Sequence, residues 1–388
     1  MKRVLVALLV VALGLPAHAA TPFQPGEAGT VETRASLARQ MLVDAHGNPL
    51  DGRGTSIAVI DTGIDPTHPA FALPGGGTKV ERHLTVVPCA VDRPLDDGLS
   101  CVTDVPPGVP SDTGQGGHGT FVGGVAVGNP MTLPDGTHVG GVAPGARLVM
   151  ISATTALVSL RTAFAWVLKN HAHPCAGCPP IRVMSMSWGA NDAVIAGLEQ
   201  ALVDAGVMTV WAAGNTGGDG STNSDNPDPS ATTRAGVLSV ASYDDGGHLT
   251  RDGQLSATSS RGAKADPTTW PDLSAPGEGI TSACRAYFGV CDAVGSNPEN
   301  GPGATDLATY WTGSGTSWAA PHVAAVIAIL LQVRPSATPA QLDAVLKATA
   351  YRYGRGYQHT AGGWSSFDRG AGLVDAYAAA LALGARHR

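Results

Sequence analysis

Charge is scarce in this chain, and positive charge is scarcest. Charged residues make up 14% of the 388, and 24 Lys and Arg stand against 31 Asp and Glu, a net charge of −7. No run of Lys and Arg is present, which excludes nucleic acid as a partner, because phosphates demand clustered cations. Nothing repeats at solenoid or propeller spacings. The 51 glycines and 28 prolines follow no fixed period, so collagen-like and low-complexity chains are excluded too. No Pro- or Ser-rich linker divides the chain, and no apolar run reaches the ~20 residues of a membrane-spanning helix. What is there is a hydrophobic share of 43%, too apolar for disorder and ample for a core.

The first residues read as a targeting segment. Lys2 and Arg3 precede a twelve-residue apolar run over 4–15, Pro16 breaks it, and Ala17-His18-Ala19 offers a small-x-small cleavage site. Residues 1–19 are therefore predicted to be a signal peptide, 20–52 a short N-terminal lead-in, and 53–382 one catalytic-type domain. Loss of Lys2 and Arg3 leaves 22 basic against 31 acidic residues, a mature charge of −9. The expected protein is secreted or periplasmic, holds no membrane after cleavage, and is a monomer. Six cysteines agree with export and fall into local couples: Cys89 with Cys101, Cys175 with Cys178, Cys284 with Cys291. Local disulfides are the simplest reading of the fifteen connectivities that six cysteines allow. His171 and His173 lie just before Cys175-Ala-Gly-Cys178, so zinc binding and redox activity stay open there.

Short β-branched runs alternate with helical stretches and glycine-rich turns, the pattern of an α/β fold. Strands are predicted over 56–60, 147–152, 182–187, 207–212 and 237–241, apolar enough to be buried on both faces between layers of helices. Helices are predicted over 157–170, 193–205, 317–333 and 339–348. Residues 72–116, 214–236 and 265–312 read as long loops. The stretch 318–333 is apolar almost all round, which predicts a central buried helix with Pro321 in its first turn. Ser317 then sits at that helix's N-terminus, where free backbone N–H groups favour negative charge.

Chemistry concentrates in three places. Ser317 lies in Gly313-Ser-Gly-Thr-Ser-Trp-Ala-Ala-Pro-His322, a serine after a glycine turn, placed to attack a carbonyl and have its oxyanion held by N–H groups. His118 lies in Gly116-Gly-His-Gly-Thr-Phe-Val-Gly-Gly124, another glycine-flanked helix start. Asp61 ends the first strand in Ile57-Ala-Val-Ile-Asp-Thr-Gly-Ile-Asp65, at the strand end where α/β sites gather. Each is common alone, but together they run Asp, His, Ser, the chain order of subtilisin.

On these residues the chain resembles the subtilisin-like serine proteases, the subtilase family. Four motifs carry the resemblance: Val59-Ile-Asp-Thr-Gly63 with Asp65 and His68-Pro69; His118-Gly-Thr120 with Val122; Ala213-Gly-Asn215; and Gly315-Thr-Ser317 with Ala319, Pro321 and His322. Lesser matches are Gly141-Val-Ala-Pro-Gly-Ala146, Met186-Ser-Trp-Gly189, Ala275-Pro-Gly277 and Gly372-Leu-Val-Asp-Ala376. The resemblance implies a subtilisin-like three-layer α/β fold with a mostly parallel sheet and the activity of a secreted serine endopeptidase. Ser317 would be the nucleophile, His118 the general base, and Asp61 the group that fixes the imidazole tautomer. Asn215 and the N–H of Ser317 would form the oxyanion hole. Ser187, Trp188 and Gly189 would pair with the substrate backbone, and Gly189, Ala212, Ala213 and Gly214 would wall the specificity pocket. No acidic residue occurs in those segments, so a roomy apolar pocket with little preference for Lys or Arg is expected.

The resemblance implies protein or peptide substrates and no cofactor for the chemistry. Structural calcium is common in the family, and the Asp and Asn oxygens of 72–116 and 214–228 suit it, without a ligand spacing that places a site. The chain departs from the family at Phe121, Gly123, Trp318 and Ala320, and the Asp61–His118 gap is long. The 35 residues between Ala19 and Thr55 are too few for the family's inhibitory propeptide domain. Two alternatives remain. One is a catalytically silent, protease-like binding protein. The other is an α/β-hydrolase-type esterase built on Gly315-Thr-Ser-Trp-Ala319 with Asp343 and His359, which would leave Asp61, His118 and Asn215 idle.

Overall fold

Strands rich in Ile, Val and Met lie side by side at the centre of the protein. The computed structural model describes residues 29–87, 102–112, 117–224, 234–267, 270–285 and 309–388. The sheet strands are β1 (Ser56–Asp61), β2 (Val80–Val86), β3 (Val102–Asp104), β4 (Arg147–Ser152), β5 (Ile181–Met186), β6 (Met208–Ala212), β7 (Val237–Asp244), β8 (Gln254–Leu255) and β9 (Leu273–Pro276). Their order is β8-β7-β6-β5-β1-β4-β2-β3, with β9 also on β7. The β7–β8 and β2–β3 pairs are antiparallel, and every other pair is parallel.

Alternation along the strands explains why they read as continuous apolar runs. Ile57, Val59, Leu148 and Met150 face one core with α2 (His118–Val127) and α5 (Thr316–Val333). Ala58, Ile60, Val149 and Ile151 face the other, with α3 (Leu157–Asn170) and α4 (Ala193–Asp204). Both faces are covered, as a parallel sheet requires, and each fully buried aliphatic side chain contributes roughly 1.5–3 kcal/mol. This is the subtilisin-like α/β architecture.

Among the described residues, α5 is the one helix long and apolar enough to cross a membrane, and 89% of it is buried inside the protein. It is the central core helix. Its Pro321 lies inside the helix, in the second turn and not the first as expected, because the helix already begins at Thr316; the Ser317 carbonyl that the missing N–H leaves free accepts from Ser187 Oγ at 2.8 Å.

Two loop readings need correction. Residues 80–86 form β2, paired in parallel with β4. Glu81, Arg82 and His83 disguise this strand, because near the sheet edge it is only alternately buried. Within 265–312, β9 joins the central sheet, and Ile280–Ala283 pairs antiparallel with Tyr310–Gly313. Two helices went unread, α1 (Ala35–Met41) and α7 (Ala376–Leu383). α6 (Pro339–Thr349) starts on a capping box between Thr338 and Gln341.

Residues 29–52 are stitched onto the domain. Leu42 and Val43 pair with His387 and Arg386, Arg34 meets Asp375 at 2.9 Å, and Gln332 Nε2 donates to Asp44 at 3.0 Å. Residues 1–28, with the signal-peptide reading, lie outside the described residues, as do Cys89, Cys101 and Cys291. Cys175 and Cys178 form a disulfide, and Cys284 is disulfide-bonded. The acid near the first pair is Glu81, whose Oε2 lies 3.2 Å from Cys178 Sγ. Among the described residues, neither His171 nor His173 groups with the two sulfurs in a metal-sized cluster.

Candidate active site

β1 delivers Asp61 to the carboxyl edge of the sheet, where its side chain is wholly buried. A buried carboxylate must be paired and hydrogen-bonded. Asp61 Oδ1 accepts from Thr62 N at 2.7 Å and lies 2.8 Å from His118 Nδ1, with Oδ2 at 3.0 Å from the same nitrogen. That contact makes Nδ1 the protonated ring nitrogen and leaves Nε2 as a free base. Burial pulls the His118 pKa down, but the charge and hydrogen bond of Asp61, with the charge of Asp112, outweigh it. The imidazole therefore sits above its ordinary value.

His118 opens α2, and the backbone there needs glycine. Gly117 precedes it at φ 89, in the left-handed region. A Cβ on Gly119 would stand 2.2 Å from the Gly63 carbonyl oxygen, so only glycine lets the helix approach the β1 turn. Asp112 ties the two together. It accepts from Thr62 Oγ1 at 2.7 Å, Gly117 N at 3.2 Å, and Thr120 N and Oγ1 at 2.9 Å each. Thr62 Oγ1 in turn accepts from Gly119 N at 2.8 Å. Burial raises the Asp112 pKa, and the hydrogen bonds only partly offset it. Sequence reasoning missed Asp112, since nothing local marks an aspartate in a loop as the clamp between two motifs.

Ser317 is the second residue of α5 and half-buried. Its Oγ contacts Ser187 O at 3.5 Å, and among the described residues it makes no hydrogen bond to His118 Nε2. Such bonds are often long in unliganded sites and tighten around substrate. The Trp318 ring lies 4.8 Å from the His118 ring, which holds the Ser317 turn beside the imidazole. Asn215 is fixed from the same helix end. Its Oδ1 accepts from Thr316 N at 2.9 Å and Oγ1 at 2.8 Å, while Gly214 N donates to Thr316 Oγ1 at 3.2 Å. With the amide oxygen engaged, Nδ2 remains as a donor at the helix start, where Thr316 N and Trp318 N are bonded and, among the described residues, the N–H of Ser317 is left without a partner.

Ser187 follows β5, and its Oγ donates to Ser317 O at 2.8 Å, so this hydroxyl anchors the Ser317 backbone. Trp188 is half-buried. Its Nε1 donates to Ile60 O at 3.1 Å, and its ring lies 5.8 Å from His118. Gly189 is exposed and Gly214 half-buried, but Ala212 and Ala213 are buried, with Ala212 in the α5-side core. The departures from the family pattern meet one another, as Phe121 and Trp318 pack at 4.0 Å. Gly123 suits that crowding, since a Cβ there would press on Leu148 at 3.1 Å and Ile64 at 3.3 Å. The rival dyad of Asp343 and His359 is dispersed. Asp343 bonds Gly236 N and Lys347, and His359 lies on an exposed hairpin against Trp364.

The subtilase family model matches residues 52–372, the whole span from β1 to the last motif. The chain belongs to the subtilase family. It is 28% identical over 331 residues to the serine protease AprX of Bacillus subtilis (strain 168), covering 81% of this chain and 65% of that protein. Fervidolysin of Fervidobacterium pennivorans is 30% identical over 328 residues, covering 80% of this subtilase and 39% of its relative. The crystal structure of fervidolysin, described as a keratinolytic enzyme related to subtilisin, superposes with a TM-score of 0.58 at 28% identity. It covers 85% of this chain and 43% of that one. This subtilase thus spans less than two thirds of the length of both relatives.

Proposed function

We propose that this subtilase is an exported serine endopeptidase that hydrolyses peptide bonds through an acyl-enzyme on Ser317. The observation that carries the reading is the Asp61–His118 contact, which leaves Nε2 to act as the base, while Trp318 of the Ser317 turn packs 4.8 Å from the same ring. In this mechanism His118 takes the Ser317 proton as Oγ attacks the scissile carbonyl carbon. The oxyanion accepts hydrogen bonds from Asn215 Nδ2 and Ser317 N–H. Collapse of the tetrahedral intermediate breaks the C–N bond, and His118 returns the proton to the leaving amine. Water then repeats the sequence on the ester and releases Ser317. Asp61 stabilises the imidazolium without taking its proton.

Ser187, Trp188 and Gly189 are assigned to the substrate-binding edge, with Gly189 and Gly214 as the surface walls of an apolar specificity pocket. The reading takes the enzyme as a monomer that needs no cofactor for its chemistry. Export rests on the signal-like residues 1–19 and on a disulfide between Cys175 and Cys178.

The test is mass spectrometry after exposure to a serine-reactive fluorophosphonate, run beside Ser317→Ala. A single adduct on Ser317, absent from the variant, supports the endopeptidase. No adduct on folded protein overturns it in favour of a silent binding protein.

A further inference from the structure

The segment between α6 and α7 reverses the acidic balance of the chain. Residues 351–370 carry Arg352, Arg355 and Arg369 against one carboxylate, Asp368, in a protein of net charge −7. The segment folds into a hairpin of β10 (Gln358–Thr360) and β11 (Gly363–Ser365), and beside it lies an open recess of about 370 Å³. Arg352, Arg355, Tyr357 and Trp364 line it.

Two features of the recess are open to a ligand. Among the described residues, neither the exposed Arg352 nor the exposed Arg355 guanidinium has a carboxylate or hydrogen-bond partner, so both are free to meet an anion. Trp364 leaves 46% of its surface exposed, a large apolar face on a surface otherwise short of aromatics.

The recess is also held in shape. The Arg352 guanidinium lies 5.4 Å from the Trp364 ring, and His359 meets that ring edge-on at 5.4 Å. Arg369 stacks 5.9 Å from the Tyr357 ring and donates to the Arg355 carbonyl, fixing the turn between them.

From this arrangement we infer that the recess binds the acidic sugar unit of an anionic polysaccharide. The sugar carboxylate bridges Arg352 and Arg355, and the apolar C–H face of the pyranose lies on the exposed part of Trp364. A glutamate or aspartate side chain matches the two arginines but presents no ring face to Trp364. The recess opens along the surface, which admits an internal unit of a polymer. Binding here does not depend on Ser317, so its failure is distinguishable from a failure of the peptidase reading.

The experiment is calorimetric titration of the full chain with tetragalacturonate, beside maltotetraose and hexaglutamate. Saturable binding of tetragalacturonate alone is expected, weakened about tenfold or more by Arg352→Gln with Arg355→Gln, and likewise by Trp364→Ala. The far-UV circular dichroism and urea midpoints of the same variants are expected to be unchanged, which reports that they are folded. Absence of saturable binding, or binding of maltotetraose as tight, overturns the inference. So does tetragalacturonate binding that survives the arginine substitutions. Equal binding of hexaglutamate that ignores Trp364→Ala overturns it in favour of an acidic polypeptide.

Discussion

The indole of Trp318 lies 4.8 Å from the imidazole of His118, centroid to centroid and tilted by 37°. The π-face of the residue after Ser317 thus borders the ring that carries the positive charge in the proposed mechanism. A cation beside an indole is favoured by about 0.5–2 kcal/mol. Trp318→Leu is therefore expected to move the acid limb of the kcat/KM profile about 0.5–1 unit lower, since the imidazolium loses a stabilising partner. An acid limb that stays in place would show that the indole only packs.

Asn215 is held by its oxygen and presents its nitrogen. Asn215→Ala is expected to lower kcat on peptide ester substrates by roughly 100- to 1,000-fold with little change in KM. A loss confined to KM would remove Asn215 from the oxyanion hole.

Asp112 clamps the β1 turn to the start of α2 through four accepted hydrogen bonds. Asp112→Ala leaves buried donors without partners and is expected to cost about 3 kcal/mol of stability in urea unfolding. It is also expected to lower kcat, because the clamp sets the Asp61–His118 geometry. Full stability in the variant would show that water replaces the carboxylate.

His118 has a raised pKa in the folded state, so its charged form is favoured there over the unfolded chain. The stability it contributes is fully present below the unfolded value near ~6.5 and is lost as pH rises through the folded value. In a Ser317→Ala background, which prevents autolysis, His118→Gln is expected to destabilise more at pH 5 than at pH 9. Urea midpoints at the two pH values check this, and a larger loss at the alkaline end would reverse the sign.

Gly119 has no room for a side chain, because the obstacle 2.2 Å away is a backbone oxygen. Gly119→Ala is expected to cost about 3 kcal/mol and to abolish measurable peptidase activity by displacing His118. A crystal structure of the variant with β1 and α2 unmoved would refute the close-approach argument.

Much of this architecture was legible along the chain. The strand at 147–152 and the helix at 157–170 are legible with the bounds observed, because the first is a continuous apolar run buried on both faces and the second follows a 3.6-residue period. β2 was illegible for the opposite reason. Near the sheet edge its Glu81, Arg82 and His83 reach solvent or polar partners, so composition hides a strand that only its pairing with β4 stabilises. Trp188, which the motif alone assigns to the substrate edge, is half-buried against the second core with its indole N–H on Ile60 O, a contact no local pattern marks.

By itself the sequence determined the family, the order Asp61, His118, Ser317, and the helix starts that carry two of them. Those depend on short motifs whose backbone needs, glycine above all, are written residue by residue. Only the tertiary structure decided what each group touches. It engages Asn215 Oδ1 with Thr316, sets Asp112 beneath two motifs at once, brings Trp318 against His118, and gathers Arg352, Arg355, Tyr357 and Trp364 around one recess. Hydrogen bonds and ring contacts act over a few ångströms, and the chain brings such distant segments that close only when its two cores are packed.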